Sequence, residues 1–128
     1  MILPFIEEIE EIISSSFIVV SSNIQKYFSS SKKEAYIKGK LTFIDLSFLE
    51  FSIFVIEKNK RLVFDKYRYQ YMDSMKKLIF RYDNAPHHKE VPTFPIHKHL
   101  RDKVVESHLP DFKELLEEIS ALIIQSIK

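Results

Sequence analysis

The chain has 128 residues, 45% apolar and 13% aromatic, with a net charge of +1, one glycine and no cysteine. That size suits a single domain, 1–128, with a core of its own. One glycine cannot write a phosphate-cradling loop or a dinucleotide fingerprint, and without cysteine there is no zinc finger, disulfide framework or thiol catalysis.

No run is long and apolar enough to span a bilayer, and acidic residues follow Met1 too closely for a signal peptide, so a cytoplasmic protein is expected. The charge is unevenly spread. Four Glu give −4 over Met1–Ile13, and Val104–Lys128 carries −3. Between Glu57 and Lys103, twelve Lys and Arg stand against six Asp and Glu, a balance of +6. A basic middle is a footprint for a polyanion; equally, the terminal helix surfaces are simply acidic.

Ile2, Phe5, Ile6, Ile9, Ile12 and Ile13 recur at helical spacing, with Glu7, Glu8, Glu10 and Glu11 between them. This predicts an amphipathic helix ended by Ser14-Ser15-Ser16. Phe17–Phe28 begins as a β-branched run and continues in weaker alternation. Glu34–Ile44 alternates with Ala35, Ile37, Gly39, Leu41 and Phe43 on one face, and reads as a second strand. Phe48–Glu57 is apolar on nearly both faces and is expected in the interior of a sheet, with Glu50 as an acid at the edge of the core satisfied by a Lys or Arg, ahead of a catalytic role.

Leu62–Met72 and Met75–Asp83 flank Asp73-Ser74 and read as a hairpin with a two-residue turn. In that register Tyr67 faces Phe80 and Lys66 faces Arg81. Alternation puts Tyr67, Tyr69, Tyr71, Leu78 and Phe80 on a core face, and Lys66, Arg68, Gln70, Lys77, Arg81 and Asp83, with Ile79 among them, on a charged one. Lys103–Glu106 has the makings of a short edge strand. Pro110-Asp111 opens a last helix, where Asp111 and Glu114 have the form of a capping box. The expected fold is α+β: an antiparallel meander of about five strands, with N- and C-terminal helices packed on one face.

The remaining segment concentrates the chemistry. Arg81 to His99 holds four of the five histidines (His87, His88, His97, His99) and three of the five prolines. Imidazole, guanidinium and carboxylate are costly to bury unpaired, so a His-dense polar segment between patterned elements is a candidate site.

Four readings are open. In the first, the segment is a metal-independent ribonuclease site. His87 or His88 would pair with His97 or His99 as acid and base, Arg81 or Arg68 would stabilise the phosphorane, and Asp83 would orient an imidazole. Lys66, Arg68 and Lys98 would hold the RNA backbone. In the second, His97 and His99 with His87 or His88 ligate a divalent metal such as zinc, with Asp83 in support. In the third the segment is structural, with Asp83 and Asn84 capping turns, and the protein acts by binding a partner. In the fourth, the charged face binds nucleic acid without cutting it. His108 has no assigned role.

The run Arg81-Tyr82-Asp83-Asn84-Ala85-Pro86-His87-His88, followed by Thr93-Phe94-Pro95-Ile96-His97-Lys98-His99, resembles the signature of the TumE family. The Tyr67–Asp73 arm is similar to the tyrosine-rich strand that precedes the motif there, with Gln70 in a region where members often carry a histidine. The resemblance implies a small prokaryotic cytoplasmic toxin of a toxin–antitoxin system. It implies an antitoxin with a helix-turn-helix DNA-binding domain as partner, is compatible with a homo-oligomer, and brings no settled reaction with it.

Overall fold

A computed structural model describes residues 1–84, 97–100, 104–106 and 110–127. The described residues form α1 (Ile2–Ser14), β1 (Val19–Phe28), β2 (Glu34–Phe43), β3 (Phe48–Lys58), β4 (Arg61–Met72), β5 (Leu78–Asp83), β6 (His97–Leu100), β7 (Val104–Glu106) and α2 (Phe112–Ile127). The seven strands make one antiparallel sheet in chain order. This is the expected α+β meander with terminal helices. It is longer than expected because His97–Leu100 forms a strand and extends the sheet beyond β5.

Both helices pack on the same sheet face. Ile2, Ile6, Ile9 and Ile13 of α1 and Phe112, Leu115, Leu116, Ile119 and Ile123 of α2 are buried with Ile37, Leu41, Leu49, Ile53, Tyr69 and Phe80. Phe112 inserts edge-on against Phe51 and Tyr69, with ring centroids 5.2 and 6.2 Å away. The α2 capping box forms in both directions. Glu114 N donates to Asp111 Oδ1 (2.8 Å), and Asp111 N donates to Glu114 Oε1 (3.4 Å). Two donors that the helix start would leave unpaired are thereby satisfied.

The only glycine is not in a turn. Lys32, Leu46, Asn59, Lys60 and Lys76 take the positive-φ positions instead. Gly39 lies inside β2, opposite Phe51. A Cβ there would sit 2.8 Å from the Phe51 ring and 2.9 Å from the Asn23 carbonyl oxygen. The glycine makes room for a ring, not for a bend.

The β4–β5 hairpin departs from the expected register. Gln70, not Lys66, faces Arg81, and Tyr69 faces Tyr82. The connection runs from Asp73 to Lys77. Asp73 Oδ1 accepts from both Met75 N and Lys77 N (2.9 Å each), and Lys76 is at φ 65°. An Asp that caps two amides of its own loop holds a wider turn than two residues. Up to Tyr71 the slip is four residues, an even number, so those side chains keep their faces. A register shift between Tyr71 and Met72 then sets Leu78 opposite Met72, off the expected core face, while Ile79 packs against the core instead. Glu50 is also not at the edge of the core. It is exposed, in register with Lys40 and Gln70.

Candidate functional site

Alternation leaves the face opposite the helices polar, and the register stacks its side chains into transverse rows. One row runs Asn23, Lys40, Glu50, Gln70, Arg81, His99 across β1 to β6. The next runs Gln25, Lys38, Ser52, Arg68, Asp83, His97. Arg68, Arg81, Asp83 and His99 therefore meet where two rows cross β4, β5 and β6.

Arg81 is the hub. Its Nε donates to Asp83 Oδ2 (3.0 Å), its Nη2 to His99 Nδ1 (3.2 Å), and its Nη1 to Gln70 Oε1 (3.5 Å). Arg68 Nη2 donates to the same Gln70 oxygen. One amide carbonyl thus holds two guanidinium groups side by side. His99 Nε2 lies 3.1 Å from Asp83 Oδ2. A guanidinium offers no lone pair, so Nδ1 is the acceptor and the ring proton sits on Nε2, the nitrogen within ion-pairing distance of the carboxylate. Asp83 and His99 are buried, while a quarter of the Arg81 side chain is exposed and Arg68 reaches solvent. The cluster presents cationic tips outward and keeps a carboxylate–imidazole pair beneath them.

Of the expected site residues, the fold brings together Arg68, Arg81, Asp83 and His99. His97 lies opposite Asp83 in the strand register, and only its backbone is described. His87 and His88 lie outside the described residues. Lys66 is exposed on the same sheet face, midway along β4 and one row beyond Arg68, where its register partner is Phe54.

Lys98 projects to the opposite face, toward α2. Its Nζ donates to Glu118 Oε2 (2.7 Å) and sits 4.8 Å from the Tyr82 ring centroid. The Tyr82 hydroxyl donates to Glu118 Oε1 (2.7 Å). Burial pushes the Lys98 ammonium down, but Glu118 and Tyr82 outweigh it and the net shift is upward. Burial likewise raises the Tyr82 phenol, partly offset by its bond with Lys98. Lys98 thus serves to pin α2 to β5 and β6.

The sequence places Gln70 on the charged face but gives it no role in the site. Its signal is the alternation itself: a neutral amide two residues after Arg68 on a basic face lies where it can bridge guanidinium groups. Asn84 also has a definite structural task. A bulge at Asp65 interrupts the β3–β4 ladder, since Phe54 pairs with Lys66 but Val55 pairs with Phe64. Asn84 Nδ2 donates to the Asp65 carbonyl and Asn84 Oδ1 accepts from Tyr67 N, both at 3.0 Å. The side chain replaces the ladder where β5 ends.

Asn84→Ala is expected to lower stability by about 1–3 kcal/mol, the worth of two net hydrogen bonds. Asn84→Asp should retain part of this, because a carboxylate accepts from Tyr67 N but cannot donate to Asp65. Urea unfolding of the three proteins checks the order; equal stability of the Asn84→Ala and parent proteins would contradict it.

Among the described residues no group of three or more His, Asp or Glu is placed to hold a metal ion. Arg81 contacts His99 Nδ1 and one Asp83 oxygen, so a metal bound at those two atoms would have to displace it. No helix of the described residues is long and apolar enough to cross a membrane.

No curated protein and no solved structure matches the chain. A protein-family model described as Toxin TumE matches residues 9–127, a span that contains every strand of the described residues, the whole Arg81 cluster and α2. The chain belongs to the Toxin TumE family and is a toxin component of a toxin–antitoxin system, with an antitoxin as its partner.

Proposed function

We propose that this toxin is a cytoplasmic prokaryotic ribonuclease that cuts RNA at the Arg81 cluster by attack of the substrate's own 2′-hydroxyl. The observation that carries the reading is the convergence of Arg68, Arg81, Asp83 and His99 on a solvent-facing sheet surface, with Gln70 holding the two guanidinium groups together. Two adjacent guanidinium groups suit a phosphodiester, whose charge grows in the phosphorane.

A phosphate that draws the Arg81 guanidinium toward itself frees His99 Nδ1, the lone pair that takes the 2′-hydroxyl proton. Asp83, beside Nε2, stabilises the imidazolium that results. The 2′-oxygen bonds to phosphorus as the bond to the 5′-oxygen breaks. That oxygen takes its proton from a second motif histidine, assigned to His88 ahead of His87 and His97. No step requires a metal. The antitoxin carries a helix-turn-helix domain, following the family resemblance.

Incubation of the purified toxin with total RNA, with and without EDTA, tests the reading. Cleavage is expected in both, and His99→Ala and His88→Ala should each lower it about 100-fold or more while leaving RNA binding in place. Cleavage abolished by EDTA and restored by zinc or manganese would transfer the chemistry to a metal. Unchanged cleavage in His99→Ala would remove His99 from the reaction. The burial of Asp83 and His99 favours one competing reading, a structural pair inside an interaction module. Under that reading both variants unfold and the parent protein cuts no RNA.

A further inference from the structure

We propose that the open sheet face across β1 to β4 is a platform for single-stranded RNA, stacking bases on Tyr36 and Phe54 and holding phosphates with Lys38, Lys40 and Arg68. This deepens the ribonuclease reading and rests on it, since the platform leads into the Arg81 cluster.

Beyond the two polar rows lies a third, Tyr27, Tyr36, Phe54, Lys66. Tyr27 is 53% and Tyr36 39% exposed, and Phe54 is half-buried. The two tyrosine rings are 6.2 Å apart and tilted at 41°, so neither covers the other's face. Single exposed apolar residues need no explanation, but three aromatics in one transverse row form a patch. Nor is the row part of the core, which uses Tyr67, Tyr69 and Tyr71 on the opposite face.

A hollow of about 420 Å³ opens beside it, with Tyr36, Lys38, Lys40, Ser52, Arg68 and Gln70 among its walls. A second, of about 360 Å³, shares Tyr36 and Ser52 and adds Phe54, Asp65 and Lys66. The cations at these hollows are Lys38, Lys40, Lys66 and Arg68, against Glu50 and Asp65, so the surface is net positive before Arg81 is reached.

Exposed aromatic rings interleaved with cations fit a single strand, whose unstacked bases have free faces. A duplex keeps its bases stacked inside and would use only the charge. Strands about 4.8 Å apart put β1 and β5 roughly 19 Å from each other, room for a few nucleotides laid across the sheet toward Arg81.

The test uses the full chain and a labelled oligouridine of roughly ten nucleotides, within the range one small sheet platform covers. Its sugars are 2′-O-methyl, so it cannot be cut, and binding is followed by fluorescence anisotropy. Tyr36→Ala and Phe54→Ala should each weaken binding about 10-fold, while Tyr36→Phe, which keeps the ring, stays within about 2-fold. Lys38→Gln with Lys40→Gln should reduce the log–log salt slope by about 1.4, near 0.7 for each phosphate contact on a single strand. A 2′-O-methyl duplex of equal length should bind at least about 10-fold more weakly.

Ring-removing variants that bind like the parent, an unchanged salt slope, or equal affinity for the duplex would each overturn the platform. So would variants that lose the antitoxin while keeping the oligouridine. Platform binding with no cleavage of natural RNA would defeat the ribonuclease reading and leave the platform standing. Cleavage indifferent to all four substitutions would do the reverse.

Discussion

Replacing Arg81 by lysine is expected to lower RNA cleavage at least about 100-fold while the protein stays folded. The guanidinium reaches Gln70, Asp83 and His99 from three different nitrogens. A single ammonium keeps the charge but cannot span these partners and also present a planar fork to a phosphate. Removing one such preorganised donor from a transition state typically costs 10²–10³ in rate, hence the estimate of about 100-fold. The stability cost should be small, about 1–2 kcal/mol, because the lysine still neutralises Asp83.

Arg81→Ala should cost more, about 2–3 kcal/mol. That is less than the ~3–5 typical of a fully buried pair, because Arg81 is partly exposed and His99 remains beside Asp83. Single-turnover cleavage and urea unfolding separate the two effects. Cleavage by Arg81→Lys within about 3-fold of the parent would show that charge alone suffices and that the fork has no role.

The second large effect concerns the frame. Phe51→Ala should destabilise the fold by about 3–5 kcal/mol, as large-to-small changes of core aromatics do. Phe51 is 4% exposed, packs edge-on against Phe112 of α2, and lies over the bare backbone of Gly39. Gly39→Ala, by contrast, should destabilise by about 1–3 kcal/mol through overpacking, because its methyl would enter the Phe51 ring and the Asn23 carbonyl. The two changes share one volume, so their sum should overshoot. The double variant is expected to be at least about 1 kcal/mol more stable than additivity predicts. Additive losses in denaturant melts would mean that the ring and the glycine do not compete for the same space.

How far the fold could be read from the chain follows from where a period was visible. The isoleucine stripe of α1 and the capping box of α2 are local patterns, and both helices form where they predict. Strand alternation assigned Tyr67, Tyr69, Tyr71 and Phe80 to the core and Arg68, Arg81 and Asp83 to the other face, as found. Register needed more than alternation. Asp73 had to be seen capping two amides of its own loop, and nothing in a two-residue gap between β-like runs signals that.

The strand His97–Leu100 was hidden because His-Lys-His has no apolar period to betray it. Once it is a strand, Lys98 must point away from His99, which is why the lysine meets Glu118 and not the Arg81 cluster. The platform aromatics were missed for the opposite reason. Alternation already put Tyr36 on the face away from Ala35 and Ile37, but Phe48–Glu57 is apolar on nearly both faces, and only the register brings Phe54 into one row with Tyr36 on the polar side.

The most direct measurement of the central claim is a crystal structure of the toxin with a 2′-O-methyl RNA that cannot be cut. A phosphate within hydrogen-bonding reach of both Arg68 and Arg81, with the flanking 2′-oxygen beside His99 Nδ1, is the predicted result. RNA seated elsewhere, with the Arg81–Asp83–His99 contacts untouched, would contradict the assignment of this cluster as the place where RNA is cut.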